Sequence, residues 1–266
     1  MPNASLVSFQ NHRIGTLSGK HEAPHFRYEV DSPWVLDGVN ITIPRYGHTA
    51  IVGPSGAGKT TIFAILLKFM KPNHGSIILD GRPFEKWTIA DIRSRLAYVE
   101  QDTPIIPGTV RDNLAYGAPE ASDASLWYAL EVVRLDDRIR SLRDGVDADI
   151  SENTLSGGER QRIAVARAII ADPELLLLDE VTAQLDGLSE VAVSEGIRRQ
   201  AARGAVVTIA HRLSTVMDAD QIIVLDAGRV RATGTHNELL TNDALYASLV
   251  DALRIASDGR RERVAE

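Results

Sequence analysis

A glycine-rich octapeptide that ends in lysine and threonine carries the densest chemical signal in the sequence. Residues 53–60 read Gly-Pro-Ser-Gly-Ala-Gly-Lys-Thr, which fits the pattern of a phosphate-binding P-loop. Backbone N–H groups approach a triphosphate closely only where side chains are absent, and a following helix adds the positive end of its dipole. We expect Lys59 to reach the β- and γ-phosphates and the Thr60 hydroxyl to bind Mg²⁺. A glycine-rich turn that binds nothing is the alternative, and a predicted strand before the loop and helix after it argue against that. The nucleotide-binding residues expected here are Gly53, Pro54, Ser55, Gly56, Ala57, Gly58, Lys59, Thr60 and Thr61.

A second signal is a run of four leucines that ends in two acids, Asp179 and Glu180. A buried strand of a parallel sheet is apolar throughout, and ligands collect at the carboxyl ends of such strands. Asp179 is therefore placed to support Mg²⁺, and Glu180 to accept a proton from an attacking water. Many strands end in an acidic turn of no chemical importance, so this interpretation depends on the P-loop nearby.

A third stretch, Leu155-Ser156-Gly157-Gly158-Glu159, has the composition of a second anion site. It offers a hydroxyl, bare backbone amides and the start of a predicted helix at 157–170. An ordinary helix cap by Ser156 is the alternative, but a cap does not require two glycines. Two phosphate-binding helix starts in one chain suggest two surfaces that share one nucleotide.

This third stretch resembles the signature motif LSGGQ of ABC ATPases, here with Glu159 in the fifth position, and residues 163–168 are similar to that family too. The resemblance extends over about residues 28–240. In the family, the P-loop and the signature motif of two different protomers enclose ATP. The resemblance therefore implies ATP and Mg²⁺ as cofactors, and a dimer either with a second copy or with a paralogous domain.

The resemblance assigns roles to further residues. Gln101 matches the Q-loop, which in the family senses Mg²⁺ and the γ-phosphate, and His211 matches the switch histidine that contacts the γ-phosphate. Residues 184–186 resemble the D-loop, which adds Asp186 to the nucleotide-binding set. Tyr28 resembles the aromatic residue that stacks on adenine, with Trp34 as the competing aromatic, and either ring is also suited to simple packing. The implied catalytic residues are Lys59, Gln101, Glu180 and His211; the implied metal ligands are Thr60, Gln101 and Asp179.

Three further segments, 108–117, 210–216 and 228–236, look like the corresponding parts of exporters. They imply an exporter motor domain at the cytoplasmic face of the membrane, partnered by a transmembrane domain that is fused to it in the native protein. We expect that domain to dock near residues 103–116, where Ile105 and Ile106 form an apolar, proline-flanked loop. Alternatively, these isoleucines plug the core. A soluble ABC ATPase and an ATP-sensing scaffold without turnover are the other functions considered.

The alternation of strand and helix patterns predicts the scaffold that positions these residues. We expect an α/β fold: a P-loop NTPase core with a mostly parallel sheet, an N-terminal antiparallel β-subdomain and an inserted helical subdomain at about 102–170. Strands are predicted at 48–52, 174–179 and 205–209. The ATPase domain is expected over 25–256, after a linker or irregular segment at 1–24 and before a flexible tail at 257–266.

Composition narrows the choice of function. The formal net charge is -7 over 266 residues, so we expect no nucleic-acid partner. The chain has no cysteine, which excludes disulfides and thiolate metal sites. No apolar run approaches the roughly 20 residues of a membrane-spanning helix.

Overall fold

The computed structural model describes residues 13–16, 23–101, 104–181 and 187–264. The strands are β1 (Arg13–Thr16), β2 (His25–Phe26), β3 (Leu36–Asp37), β4 (Thr42–Pro44), β5 (Gly47–Val52), β6 (Ile78–Leu79), β7 (Arg82–Pro83), β8 (Leu96–Val99), β9 (Gly108–Thr109), β10 (Asp149–Ile150), β11 (Leu175–Asp179), β12 (Ala205–Ile209), β13 (Gln221–Asp226) and β14 (Arg229–Gly234). The α-helices are α1 (Lys59–Leu66), α2 (Ile89–Arg93), α3 (Val110–Ala115), α4 (Asp123–Val132), α5 (Asp136–Arg140), α6 (Gly157–Ile170), α7 (Gly187–Ala201), α8 (Leu213–Met217), α9 (His236–Asn242) and α10 (Ala244–Val264).

A six-stranded sheet in the order β14-β13-β5-β12-β11-β8 forms the centre of the fold. Its neighbours are parallel except for the edge pair, where β14 runs antiparallel to β13. Strands β5, β11 and β12 are buried almost throughout because both faces of the sheet are covered. The predicted α/β class with a mostly parallel sheet is confirmed, and the three predicted strands lie within a residue of their expected positions.

A smaller antiparallel sheet in the order β4-β1-β6-β7 accounts for the predicted β-subdomain. Its strand β1 falls inside the segment 1–24 that we expected to be a linker or irregular. Gly15 of β1 pairs with Leu79 of β6, and Arg13 pairs with Pro44 of β4. Since both partner strands are distant in the sequence, local pattern alone does not reveal β1.

Successive residues of β11 pack into different hydrophobic cores, because side chains alternate between the faces of a strand. Leu175 and Leu177 pack with α1 and the β-subdomain. Leu176 and Leu178 pack on the opposite face with α3, α4 and α6. One strand is therefore the shared wall between the P-loop half of the molecule and its helical half.

The inserted helical subdomain is held to the loop before it by the fully buried Asn113 of α3. The Asn113 side chain accepts from the Ile106 N–H at 2.9 Å and donates to the Ile106 carbonyl at 2.8 Å. Arg167 of α6 donates to the Asn113 carboxamide at 3.0 Å. Ile105 is only 8% exposed and belongs to the helical core. The expectation that both isoleucines form an exposed docking loop is therefore wrong for Ile105, which plugs the core.

At the opposite end of the sheet from the P-loop, a charged network joins four separate segments. Arg95, just before β8, donates to both carboxylate oxygens of Glu174, at 2.7 and 2.8 Å, and it also pairs with Asp80. Arg45 reaches the same two acids at 3.3 and 3.4 Å. A two-pronged arginine–carboxylate contact fixes geometry as well as charge, so the network fixes the start of β11 beside the start of β8.

The chain closes with the β13–β14 hairpin and two helices that pack on one edge of the main sheet. Tyr246 of α10 is fully buried there, and its hydroxyl lies 2.7 Å from Nδ1 of His236. Helix α10 runs to Val264, into the segment 257–266 that we expected to be a flexible tail. Among the described helices, none combines the length and the apolar character required to span a bilayer.

A buried histidine gives the fold a pH-dependent stability. His48 of β5 is 3% exposed, and its Nε2 lies 2.8 Å from the Thr208 hydroxyl. Burial lowers the pKa of His48 to about 4 despite the nearby Asp218 and Asp220. Between the ordinary pKa of about 6.5 and this value, the unfolded chain binds more protons than the folded one, so stability falls as the pH falls.

Because of this linkage, we expect His48 to remove about 1.4 kcal/mol of the free energy of unfolding between pH 7.5 and pH 5.5. Urea denaturation at both pH values measures the loss. His48→Gln keeps a hydrogen-bonding group near Thr208 but has no titratable ring. Its free energy of unfolding is therefore expected to fall by about 1.4 kcal/mol less than that of the parent over the same interval. Equal losses in the two proteins would contradict the assignment.

Candidate functional site

The P-loop follows β5 in the centre of the sheet and leads directly into α1. Its backbone is possible only because glycines occupy its sharpest turns. A Cβ on Gly53, where φ is +156°, would lie 2.1 Å from the Leu225 carbonyl oxygen. A Cβ on Gly58, where φ is +97°, would lie 2.6 Å from the Leu36 side chain. Gly58 is also the N-cap of α1, so the free N–H groups of the first helical turn face the loop.

Lys59, the first residue of α1, keeps its ammonium group inside the loop. The Nζ donates to the carbonyl oxygens of Gly53 at 2.8 Å and Pro54 at 2.9 Å. Burial lowers the pKa of Lys59, while the charges of Glu180 and Asp179 act in the opposite direction. A lysine held in this way places a positive charge at the centre of a ring of backbone groups.

The two acids that end β11 lie at the same edge of the sheet as the P-loop. Asp179 is 7% exposed, and burial together with the neighbouring Glu180 raises the pKa of its carboxyl. Tyr98 of β8 donates to Asp179 at 3.4 Å, and the Thr60 side chain lies close enough to oppose the rise in the pKa of Asp179. Because Thr60 and Asp179 are neighbours, a hydroxyl and a carboxylate converge beside the phosphate loop.

Glu180 and His211 form a direct pair across adjacent strands. Asp179 aligns with Ile209 in the β11–β12 ladder, so the residues after each strand emerge side by side. The His211 Nε2 lies 2.8 Å from Glu180 Oε1. Burial and the charge of Lys59 lower the pKa of His211, although Glu180 acts in the opposite direction. A neutral imidazole that carries its proton on Nε2 satisfies this contact.

The backbone of Glu180 adopts an uncommon conformation, with φ of +53°. Its own N–H donates to the Ile209 carbonyl at 3.3 Å. Backbone of this kind persists where surrounding contacts fix it, and it occurs often at functional sites. The turn directs the carboxylate toward His211.

Most of the remaining predicted residues are exposed to solvent. Gln101 is exposed and follows β8 by two residues, at the edge where Asp179 and Glu180 emerge. Ser55, Gly56 and Thr60 are exposed, whereas Ala57 is buried. Asp186, predicted to bind nucleotide, lies outside the described residues.

Contacts distinguish the two aromatic candidates for adenine stacking. Tyr28 is 60% exposed, and its hydroxyl lies 3.2 Å from the Thr61 hydroxyl on α1. Trp34 is partly buried, makes edge contacts with His25 and His74, and has the Arg27 guanidinium 4.6 Å from its ring centre. Only Tyr28 of this pair combines a free ring with a direct contact to the P-loop helix.

The second predicted anion site is the start of α6. Ser156 is the N-cap, and its hydroxyl oxygen accepts from the Glu159 N–H at 3.2 Å. The Glu159 carboxylate accepts in return from the Ser156 N–H at 2.8 Å. The N–H groups of Gly157 and Gly158 belong to the first helical turn and have no partners within the helix.

The structure keeps the two anion sites apart within one chain. Within the described ranges, no hydrogen bond or ion pair joins Ser156 and its helix start to the P-loop. Among the residues described, no cluster of three or more histidines, cysteines or acids could hold a metal ion by itself. Thr60 and Asp179 supply oxygen ligands of the kind that Mg²⁺ takes together with substrate phosphates and water.

Two residues of these sites were not predicted from the sequence. Tyr98 contacts Asp179 from the neighbouring strand, and Arg138 of α5 contacts Glu159 at 3.1 Å. Neither belongs to a recognisable motif, and both partners are distant in sequence. Only the strand pairing and the helix packing bring them to the site.

Comparisons with known proteins agree on one family. The family model described as ABC transporter matches residues 36–183. The ATP-dependent lipid A-core flippase of Ralstonia nicotianae is 42% identical over 229 residues, which are 84% of this chain and 39% of the flippase. A multidrug resistance ABC transporter ATP-binding and permease protein of Lactococcus lactis is 37% identical over 238 residues, 88% of this chain and 40% of that protein.

A solved structure extends the comparison to three dimensions. The structure of a bacterial Atm1-family ABC exporter with ATP bound has a TM-score of 0.81 and 37% sequence identity, covering 94% of this chain and 43% of the exporter chain. The chain thus spans about two fifths of the length of these relatives.

Proposed function

The chain belongs to the ABC transporter family, and from that premise we propose that it is the ATP-hydrolysing motor domain of an exporter. The observation that carries the proposal is the convergence of Lys59, Asp179 and the Glu180–His211 pair at one edge of the sheet. That edge offers a cation for phosphates, an acid for a metal and an acid for proton transfer. The exporter relatives favour transport over a soluble ABC ATPase.

The geometry of the described residues supports the following proposed roles. The P-loop amides and Lys59 bind the phosphates, while Thr60 and Asp179 hold Mg²⁺, which would neutralise phosphate charge. Glu180 accepts the proton of the attacking water. His211 donates a hydrogen bond to Glu180 and lies beside the site of charge development. Gln101 and Asp186 complete the proposed nucleotide-binding set.

We also propose that two copies of the chain, or one copy and a paralogue, enclose two nucleotides. In this proposal the P-loop of one protomer faces Ser156 of the other, because no hydrogen bond or ion pair joins these two proposed anion sites within a protomer. Every expected element of both halves is present in this one sequence, which suits a homodimer. We propose that the chain acts at the cytoplasmic face of a membrane.

A groove of about 330 Å³ between β8 and the helical subdomain is the proposed docking surface for a transmembrane domain. The groove is lined by both polar and apolar groups, which include Tyr116, 69% exposed, and aliphatic side chains of β8 and α6. Pro104 reaches the groove, while Ile105 belongs to the core beneath it. Its lining residues are Arg93, Leu96, Ala97, Tyr98, Val99, Glu100, Pro104, Tyr116, Gly117, Ala164, Arg167, Ala168 and Ala171.

Phosphate release from Mg-ATP by the purified chain tests the proposed function. We expect measurable turnover that rises with protein concentration faster than linearly, because the proposed active species is a dimer. ATP binding without phosphate release at any concentration would instead support an ATP-sensing scaffold.

The exposed ring of Tyr28 yields a prediction about affinity. Tyr28→Ala is expected to weaken ATP binding by about 1–3 kcal/mol, the range for stacking of a base on an aromatic side chain, with saturated turnover almost unchanged. Tyr28→Phe, which lacks only the hydroxyl near Thr61, is expected to keep most of the affinity. Isothermal titration with ATP measures both. If Trp34→Ala loses affinity and Tyr28→Ala does not, adenine stacks on Trp34.

A further inference from the structure

The start of α6 places an acid beside groups that are proposed to bind phosphate. The family motif LSGGQ has an uncharged glutamine where this chain has Glu159. A free carboxylate one helical turn from Ser156 would repel the triphosphate of a partner-bound nucleotide, since like charges brought together at an interface are unfavourable. The structure must therefore accommodate this charge if the site is to work.

Both carboxylate oxygens of Glu159 are occupied. Oε2 accepts from the Ser156 N–H at 2.8 Å, and Oε1 accepts from Nε of Arg138 at 3.1 Å. The Glu159 side chain is 16% exposed, so it lies mostly within the surface. Although burial opposes the change, the hydrogen bonds from Ser156 and Arg138 lower the pKa of Glu159. The acid is thus a charged helix cap neutralised by one arginine.

The other arginines near the signature residues have different partners. Arg160 donates to the carbonyl oxygens of Glu152 and Leu155, and Arg162 donates to that of Arg134. In the part of the chain that the structure describes, Arg138 is the cation recorded within 4 Å of the Glu159 carboxylate. The negative charge of Glu159 is therefore balanced by an arginine of α5, a helix outside the signature motif.

We propose that Arg138 is a positioning residue of the signature site, which holds the Glu159 carboxylate on the Ser156 N–H and cancels its charge toward the partner's nucleotide. Arg138 acts through Glu159 and does not itself contact ATP. The proposal rests on the proposed function, in which the Ser156 group of one protomer faces the nucleotide of the other. It predicts that Arg138 affects ATP-dependent dimerisation only while residue 159 is an acid.

A double-mutant cycle on the full chain tests this dependence. Arg138→Ala is expected to weaken ATP-dependent dimerisation about five-fold, because a surface charge pair has a small effect at each of two equivalent sites. In a Glu159→Gln background the same change is expected to cost less than about two-fold, because no charge is then left uncompensated. The cost in the Glu159 background should also shrink between about 50 and 500 mM salt as ions screen the repulsion.

Controls separate this proposal from simpler effects. Dimerisation is followed by light scattering, and binding of a fluorescent ATP analogue to the monomer is expected to be the same in Arg138→Ala as in the parent. The exposed Arg143, just beyond α5, provides a matched arginine-to-alanine variant.

An equal loss from Arg138→Ala in both backgrounds would overturn the proposal and point to a direct contact or a folding role, and the absence of any loss would overturn it too. Ser156→Ala in the same assay tests the underlying function. If Ser156→Ala has no effect, the sandwich itself is wrong; if it impairs dimerisation while Arg138→Ala does not, only the role of Arg138 is wrong.

Discussion

Replacing Glu180 by glutamine is expected to lower ATP turnover by about 10²–10⁴-fold, the usual contribution of a general base, while ATP binding is preserved. Glutamine has nearly the same shape and still accepts a hydrogen bond from His211, whose Nε2 lies 2.8 Å from Glu180 Oε1. It has no basic oxygen to take the proton of water. With hydrolysis blocked, ATP is expected to hold the two protomers together, so Mg-ATP should convert this variant into a persistent dimer.

Light scattering with Mg-ATP and with Mg-ADP measures the trapped state, and phosphate release measures turnover. Glu120→Gln makes the same chemical change at an exposed position outside the proposed site and is expected to behave like the parent. A Glu180→Gln protein that stays monomeric with Mg-ATP at high concentration, although it binds the nucleotide, would contradict the nucleotide sandwich. Undiminished phosphate release would contradict the role of Glu180 as the base.

The second large effect is expected at Lys59. Lys59→Ala removes the ammonium group that now donates to the Gly53 and Pro54 carbonyls and that we propose contacts two phosphates. Hydrogen bonds to charged groups contribute about 1.5–3 kcal/mol each, so ATP affinity should fall by about 100-fold or more. Ser156→Ala is expected to leave ATP binding to the monomer intact and to reduce turnover, because Ser156 serves the nucleotide of the partner.

Titration of fluorescent ATP into each variant separates these two roles. Lys71→Ala, an exposed lysine beyond the same helix, is the matched control, and melting temperatures verify that each variant is folded. Equal losses of binding in Lys59→Ala and Ser156→Ala would mean that the signature residues act on the nucleotide of their own protomer.

The elements that carry the candidate motifs are the part of the fold that the sequence predicts best. Strand β12 and helix α6 have the predicted bounds, and β5 differs by one residue, because each is a short apolar run or a periodic pattern bounded by glycine or a capping serine. These local signals are the ones that a single sequence carries. By pattern alone residues 89–96 look like one helix, whereas in the structure α2 ends at Arg93 and Leu96 begins β8.

Features that depend on distant partners were beyond prediction. The pairing of β1 with β6 joins segments more than sixty residues apart, and its short sequence has no strong strand pattern. Ile105 and Ile106 have equal hydrophobicity, yet only the packing of α3 against α6 decides that Ile105 is buried. The choice between Tyr28 and Trp34 depends in the same way on which ring the β-subdomain leaves free.

The charged network around Arg95 has a consequence for the alignment of the proposed active site. Four consecutive leucines fill the core positions of β11, so a slip of one residue against its neighbours would still supply leucine at three of the four. Hydrophobicity therefore opposes such a slip only at the ends of the strand, although a slip would shift Asp179 and Glu180 by about 3.3 Å. The contact of Glu174 with Arg95 adds a fixed point at the other end of the strand, because its two hydrogen bonds of 2.7 and 2.8 Å accompany the pairing of Leu175 with Leu96. An ion pair at the far end of the sheet thus helps to set the position of the acids that are proposed to hydrolyse ATP.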